Sequence, residues 1–193
     1  MIRALYDWTI GLAGHRYSLI ALAVIAFLEA SVFPIPPDLL MIPMILARPA
    51  HAVLIAGVTT AFSVVGGLFG YWIGAVLYDS VGLPVLEFYG KDAAFGTFRE
   101  TYNEWGAWVV LVGGSLTPIP YKVITILSGA TALSLPVFII ASVVARGSRF
   151  FLVAWLLRRY GAPIRVFIER RLVLMFTLFI VLLVGGFVAV GYL

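Results

Sequence analysis

The stretch Pro34-Ile35-Pro36-Pro37-Asp38-Leu39 recurs 84 residues later as Pro118-Ile119-Pro120-Tyr121-Lys122-Val123. Both copies contain Pro-Ile-Pro followed by a charged residue at the fifth position, and each lies between two short apolar segments. Proline removes an amide donor and stops a helix, so each copy is typical of a tip at which a broken helix reverses. The alternative is a chance match between two proline-rich turns.

The lengths of the apolar segments predict how the chain meets a membrane. A spanning helix needs roughly 20 residues. Segment 17–33 is nearly long enough, and three segments are full spans, namely 53–78, 136–157 and 172–193. Three others are too short, namely 39–47, 105–117 and 123–133. Short apolar segments flanked by proline favour re-entrant hairpins over crossings.

Composition points to the same class of protein. Hydrophobic residues make up 63% of the 193 residues and charged residues only 11%, whereas soluble domains carry about 45–50% and about 25%. There is no cysteine, which excludes disulfides, thiolate metal sites and thiol nucleophiles. Neither His15 nor His51 lies near a second group of metal-ligating residues, so the sequence predicts no metal and no cofactor.

The distribution of charge predicts orientation. If the short segments form hairpins, eight arginines fall on one face and only Lys91 and Arg99 on the other; the eight are Arg3, Arg16, Arg48, Arg158, Arg159, Arg165, Arg170 and Arg171. By the positive-inside rule the arginine-rich face is cytoplasmic, which places the N-terminus in the cytoplasm. The same sorting argues against nucleic acid as a partner. Glu29 interrupts the first apolar run, so we expect a retained helix and not a removed signal peptide.

These features predict an all-α integral membrane protein forming a single membrane domain over 1–193. Repeat 1 covers about 17–78 with its hairpin near 34–38, and repeat 2 covers about 105–157 with its hairpin near 118–122. Together they form an inverted-topology repeat with tips at Pro34, Pro36, Pro118 and Pro120. About three full transmembrane helices, one of them 172–193, complete the fold. Residues 79–104 predict an interfacial amphipathic segment.

Five ionisable side chains fall at membrane depth, namely Glu29, Asp38, Lys122, Arg146 and Arg149. Each costs at least about 2.5–3.5 kcal/mol there if unpaired, so we expect them to converge on each other or on water. One interpretation is a set of structural salt bridges. The other uses the one surplus cation: Arg146, Arg149 and Lys122 bind an anionic headgroup, because arginine suits phosphate. Glu29 and Asp38 would then be proton-responsive acids.

A small-residue ridge runs along the third apolar segment. Gly66, Gly70 and Gly74 recur every four residues, a spacing that places them on one helix face. Such a ridge lets a neighbouring helix approach closely. We interpret these glycines as packing residues.

The chain resembles the DedA family, also called the SNARE-associated or VTT-domain family, and is most similar to its YqaA-like branch. The resemblance rests on Glu29 with Phe33-Pro34 and Asp38, on Gly70-Tyr71 with Gly74, on Leu116-Thr117-Pro118 with Gly129-Ala130, and on Arg146 with Arg149-Phe150. It covers roughly residues 20–155. Pro-Ile-Pro replaces the family's usual Pro-Gly at the tips, and Tyr121-Lys122 departs from the usual Val/Gly-Arg.

The resemblance implies two re-entrant hairpins and translocation of lipids. It implies a link to undecaprenyl phosphate recycling and the proton motive force in bacterial members, and to phospholipid scrambling in eukaryotic ones. Glu29 and Asp38 match the family's membrane-embedded acids, and Arg146 and Arg149 its essential basic positions. Expected partners are anionic membrane lipids and protons, with a homo-oligomer compatible with the sequence.

The leading hypothesis is therefore a multi-pass lipid translocase of the inner (cytoplasmic) membrane. A proton-coupled transporter of a small solute or ion would use the same residues. A structural membrane scaffold is the third alternative, because buried ion pairs can be structural. An intramembrane enzyme is disfavoured, since the chain lacks cysteine and an intramembrane histidine.

Overall fold

The computed structural model describes residues 17–32, 36–90, 92–115, 120–161 and 163, and all regular structure within these ranges is helical. This confirms the predicted all-α class for the described part of the chain. In chain order the α-helices are α1 (Ser18–Ser31), α2 (Asp38–Ala47), α3 (Ala52–Leu77), α4 (Leu83–Phe88), α5 (Asp92–Ser115), α6 (Tyr121–Ala130) and α7 (Leu135–Gly161). Pro34, Pro118 and the predicted helix 172–193 lie outside the described residues.

Proline directly precedes two ten-residue apolar helices, α2 and α6. Pro37 directly precedes α2 and Pro120 directly precedes α6, and a residue without an amide hydrogen fits the start of a helix better than its interior. Each helix has ten residues. At 1.5 Å per residue each is about 15 Å long, half the thickness of a bilayer's hydrocarbon core.

Two helical stretches are long and apolar enough to cross a membrane, Pro49–Phe88 and Leu135–Gly161. The first contains α3 and the second is α7. These two helices run in opposite directions, because Ser63 contacts Arg146 while Tyr71, further along α3, packs against Phe138, earlier in α7. The antiparallel pair forms the centre of the described structure.

The first helical pair consists of α1 and α2. Its open end, formed by the start of α1 and the end of α2, lies toward the beginning of α3. Gly66 lies beside Phe27 and Gly70 beside Ala30, so α1 runs in the same direction as α3 and ends beside its second half. The chain then returns through α2 and the 3-10 turn Pro49–His51 to the start of α3. The end of α2 and the end of α7 meet at this level, where Leu46 lies beside Gly161.

The second helical pair consists of α5 and α6. Its open end, formed by the start of α5 and the end of α6, lies toward the other end of α3. Tyr102 bonds to Ser128 and Gly114 lies beside Tyr121, so α5 and α6 are antiparallel. The start of α6 lies at the middle of α3, where Tyr121 meets Gly67. The tips of the two pairs touch, because the Thr125 hydroxyl oxygen lies 3.2 Å from the Ala30 carbonyl oxygen.

The glycines of the predicted ridge lie where backbones come closest. A Cβ at Gly66 would overlap the Phe27 carbonyl, and one at Gly74 would overlap the Ile126 carbonyl. A Cβ at Gly70 would overlap the Thr125 hydroxyl. The ridge on α3 therefore receives α1 and α6 together. Gly129 on α6 has the reciprocal contact with the Tyr71 carbonyl.

Residues 79–104, predicted to form an interfacial amphipathic segment, are divided between two helices. The π turn Tyr78–Gly82 carries α3 into α4, and α5 begins at Asp92. Gly90 has a φ of +63°, a left-handed conformation that glycine adopts without steric cost, and the chain reverses there. The segment is thus a short helical extension of α3 followed by a return helix.

The outer faces of the long helices are apolar and exposed. On α3 the exposed residues recur at helical spacing along one stripe, Phe62, Val65, Phe69 and Trp72. On α7 they include Ile140, Val144, Leu152 and Trp155. Monomeric soluble proteins seldom expose contiguous apolar surface on this scale, which marks a protein- or membrane-contacting face.

Substitution of the glycine ridge tests this packing. We expect Gly74→Ala to destabilise the protein by about 1–3 kcal/mol, because the Ile126 backbone must move to admit a methyl group. Gly57→Ala is the matched control on the same helix, since a Cβ there meets nothing within 4 Å. Thermal unfolding in detergent measures both. Equal effects of the two substitutions would contradict the close contact.

Candidate functional site

A buried ion pair joins α1 to α7. Arg146 Nη2 donates to Glu29 Oε2 at 2.6 Å, and Arg146 Nε donates to the Ser63 hydroxyl of α3 at 2.7 Å. The Arg146 side chain is 2% exposed and that of Glu29 is 16% exposed. A guanidinium removed from water must be paired and hydrogen-bonded, and here it is both.

Two aromatic rings enclose the same guanidinium. Arg146 Cζ lies 4.7 Å from the centre of the Tyr121 ring and 4.6 Å from that of the Phe150 ring. Both rings are buried. Cation–π attraction strengthens when the cation is desolvated, so the rings add to the carboxylate and the hydroxyl in holding Arg146.

A second ion pair joins α2 to α7 and is more open. Arg149 Nη2 donates to Asp38 Oδ2 at 2.9 Å, with the Arg149 side chain 38% exposed and that of Asp38 20% exposed. Asp38 is the first residue of α2, where the helix dipole favours a carboxylate. The two pairs are neighbours, because Arg146 and Arg149 are three residues apart on one helix face.

Both pairs lie near the middle of the long helices. Ser63, the partner of Arg146, is 11 residues from the start of α3 and 14 from its end. At 1.5 Å per residue these intervals are about 17 Å and 21 Å. If α3 spans a bilayer, Arg146 is therefore close to the bilayer centre.

Lys122 is the one predicted cation without a partner among the described residues. It lies on α6 directly after Tyr121 and is half-buried, and the described part of the chain gives its ammonium no ion pair or hydrogen bond. Four of the five predicted charges thus form two pairs, and Lys122 is the surplus. Of the predicted tip prolines, Pro36 precedes α2 and Pro120 precedes α6.

The uncharged residues of the site were not predicted from the sequence. Ser63 is a polar residue in the middle of an apolar span, a pattern that could have marked it as a partner for a buried charge. Tyr121 could have been flagged by its place beside Lys122 at the second tip. The hydroxyls of Tyr121 and Ser142 are buried and close enough to interact with each other, so they add uncharged polar groups to this centre.

The chemistry available at the site is ionic. Among the described residues no three His, Asp or Glu side chains come together as metal ligands. Each carboxylate neutralises one arginine, and Lys122 leaves a net positive charge. The partly exposed arginine can accept another anion if its carboxylate partner moves away.

Removing one arginine at a time should separate the two pairs. We expect Arg146→Ala to cost about 3–5 kcal/mol of stability, because it leaves the Glu29 carboxylate buried without a partner. Arg149→Ala should cost less than Arg146→Ala, since its pair is partly exposed and Asp38 keeps the favourable end of the α2 dipole. Thermal unfolding in detergent distinguishes the two. The double variant Glu29→Gln/Arg146→Met should recover most of the loss, and a lasting deficit would contradict the ion-pair explanation.

Comparison with known proteins identifies relatives without a described activity. No protein-family model and no solved structure matches the chain. An uncharacterized protein of Haemophilus influenzae is 37% identical over 169 residues, which cover 86% of this chain and 87% of that protein. An uncharacterized protein of Histophilus somni is 36% identical over 169 residues, with the same coverage. The chain therefore belongs to the same family as these two proteins.

Proposed function

We propose that the chain is a multi-pass protein of the cytoplasmic membrane, with two re-entrant hairpins that enter the bilayer from opposite sides. The exposed apolar stripes of α3 and α7 support this placement, because lipid would cover them. The hairpins would be α1–α2 and α5–α6, which open toward opposite ends of α3. Helices of 10 residues, such as α2 and α6, are too short to cross alone.

An inverted repeat accounts for this arrangement. The helices α2 and α3 begin at Asp38 and Ala52. Their counterparts α6 and α7 begin at Tyr121 and Leu135, each 83 residues later. This spacing is within one residue of the 84-residue offset between the proline stretches, and α3 and α7 run in opposite directions as such a repeat requires.

We infer that the protein translocates an anionic lipid, such as undecaprenyl phosphate or a phospholipid, as its resemblance to the DedA family implies. The observation that carries this inference is the pair of neighbouring ion pairs at mid-helix depth, Glu29–Arg146 and Asp38–Arg149. A transport protein must offer a polar group to its cargo at this depth. An arginine that is 38% exposed meets that need.

Coupling to protons is part of this proposal. Glu29 faces Arg146, and Asp38 faces Arg149. If Glu29 leaves Arg146 in a later step of the cycle, its carboxylate enters an apolar setting that favours the neutral form, so that step would take up a proton. A proton gradient could then drive the cycle in one direction.

A structural scaffold is the second candidate, and the one-to-one pairing of acids with arginines favours it. In that case the four charges serve only to join α1 and α2 to α7. The lipid-exchange assay described below distinguishes the two candidates, because a scaffold would not move lipid.

Cysteine labelling tests the topology, because the native sequence contains no cysteine that would react with the label. We expect Ala50→Cys to react with a membrane-impermeant maleimide only from the cytoplasmic side, and Tyr89→Cys only from the opposite side. Both positions are exposed. Pro36→Cys, at the first tip, should stay unlabelled from the side that labels Tyr89→Cys. Labelling there would mean that α1 and α2 cross the bilayer.

Reconstitution tests the transport activity. Liposomes carrying a fluorescent anionic lipid in one leaflet should exchange it faster with the wild-type protein than without protein. A pH gradient should change that rate, and Glu29→Gln should remove this dependence. Arg149→Ala should lower the rate at least about tenfold, if one charge-assisted contact to the headgroup is lost.

The control variant for this assay is Arg159→Ala, which removes an exposed arginine of the same helix outside the site. It should exchange lipid at the wild-type rate. Equal exchange in wild-type and protein-free liposomes would refute translocation and leave the scaffold.

A further inference from the structure

The two arginines of the site differ in how firmly they are held. Arg146 is 2% exposed and has a carboxylate, a hydroxyl and two ring faces around it. To receive a headgroup it would have to leave Glu29, and the ring centres of Tyr121 and Phe150 lie only 4.7 Å and 4.6 Å from its Cζ. Arg146 is therefore closed to a ligand in this arrangement.

Arg149 is held by much less. A guanidinium has five N–H donors, and the described part of the chain records one hydrogen bond from Arg149, to Asp38. Its side chain is 38% exposed. A phosphate could form the two parallel hydrogen bonds that arginine favours, whereas Asp38 forms one.

Asp38 can leave Arg149 without becoming isolated. It is the first residue of α2 and is 20% exposed. The positive end of the α2 dipole stabilises its charge there. The same is not true of Glu29, which lies near the end of α1, two residues before its last residue Ser31.

Apolar surface adjoins the open pair on both helices. Leu39 directly follows Asp38 and is 60% exposed, and Leu152, one turn after Arg149, is 54% exposed. An anion with an acyl or polyprenyl tail could therefore reach Arg149 while its tail stays against exposed apolar residues. A free phosphate ion has no apolar tail, so its binding would gain nothing from these exposed leucines.

We propose that the anionic headgroup of a lipid binds Arg149 by displacing the carboxylate of Asp38, while Arg146 stays bound to Glu29. This inference rests on the proposed function and narrows the ligand to an anionic amphiphile. Asp38 then acts as a built-in competitor of the headgroup. Removing the Asp38 carboxylate should strengthen binding of the amphiphile. A purely structural salt bridge does not predict this effect.

Binding to the purified full-length protein in detergent tests this exchange. The probe is dioctanoyl phosphatidate, with inorganic phosphate and dioctanoyl phosphatidylcholine as separate arms, measured by microscale thermophoresis. We expect Asp38→Asn to bind phosphatidate several-fold more tightly than wild type, and Arg149→Gln to bind it at least about tenfold more weakly. Asp79→Asn and Arg159→Gln, which neutralise exposed charges outside the site, should match wild type.

The outcomes are decisive in both directions. Unchanged affinity in Asp38→Asn, or in Arg149→Gln, overturns the exchange, as does phosphatidate binding to none of the variants. Inorganic phosphate competing as well as phosphatidate overturns the lipid as ligand, and equal binding of phosphatidylcholine overturns recognition of the charge. Lipid exchange in liposomes is scored separately, so this inference can fail while translocation stands, and translocation can fail while the order of affinities holds.

A chemical rescue guards against misfolding of Arg149→Gln. Arg149→Cys provides the single thiol of the chain, since the native sequence has none. Modification with 2-aminoethyl methanethiosulfonate restores a positive charge at that position. Binding should be weak before modification and recover in part afterwards. A folded, modified protein that still binds as weakly as before modification would overturn the role of the Arg149 charge.

Discussion

A single guanidinium, that of Arg146, must be satisfied near the middle of the structure, far from either end of the long helices. Its partners come from separate elements: Glu29 from α1, Ser63 from α3 and Tyr121 from α6, with Phe150 on its own helix. Because an unpaired buried charge is so costly, α1, α3, α6 and α7 must meet at one point for any of them to be stable there. That requirement brings the end of α1 and the start of α6 together.

The two ion pairs share one aromatic neighbour. The ring centre of Phe150 is 4.6 Å from Arg146 Cζ and 5.9 Å from Arg149 Cζ. The same ring thus contacts a guanidinium that is 2% exposed and another that is 38% exposed. The site thus contains one buried pair, Glu29–Arg146, and one accessible pair, Asp38–Arg149. A protein with this division can bind a charged ligand at the accessible pair while the buried pair continues to stabilise the fold.

Local signals in the sequence were enough for much of the fold. Proline marked the starts of α2 and α6, and glycine spacing marked the packing face of α3, because both effects depend on the residue itself. The pairing of charges was beyond reach. Glu29 and Arg146 are 117 residues apart and Asp38 and Arg149 are 111 apart, so no local pattern tells which acid meets which arginine. The reversal at Gly90 was missed because mixed charge alone resembles an interfacial helix.

The glycine contacts have a mechanical consequence. Where α1 and α6 rest on α3, the Phe27 and Ile126 backbones meet glycine directly, so no side chain can change rotamer to absorb a shift. Those three helices must move as one stiff body. The interface of α2 with this body is different, because buried Met41 and Met44 lie there, and methionine adapts easily to new neighbours. The packing around α2, the helix that carries Asp38, can therefore adjust more readily to a shift than that of α1 or α6 on α3.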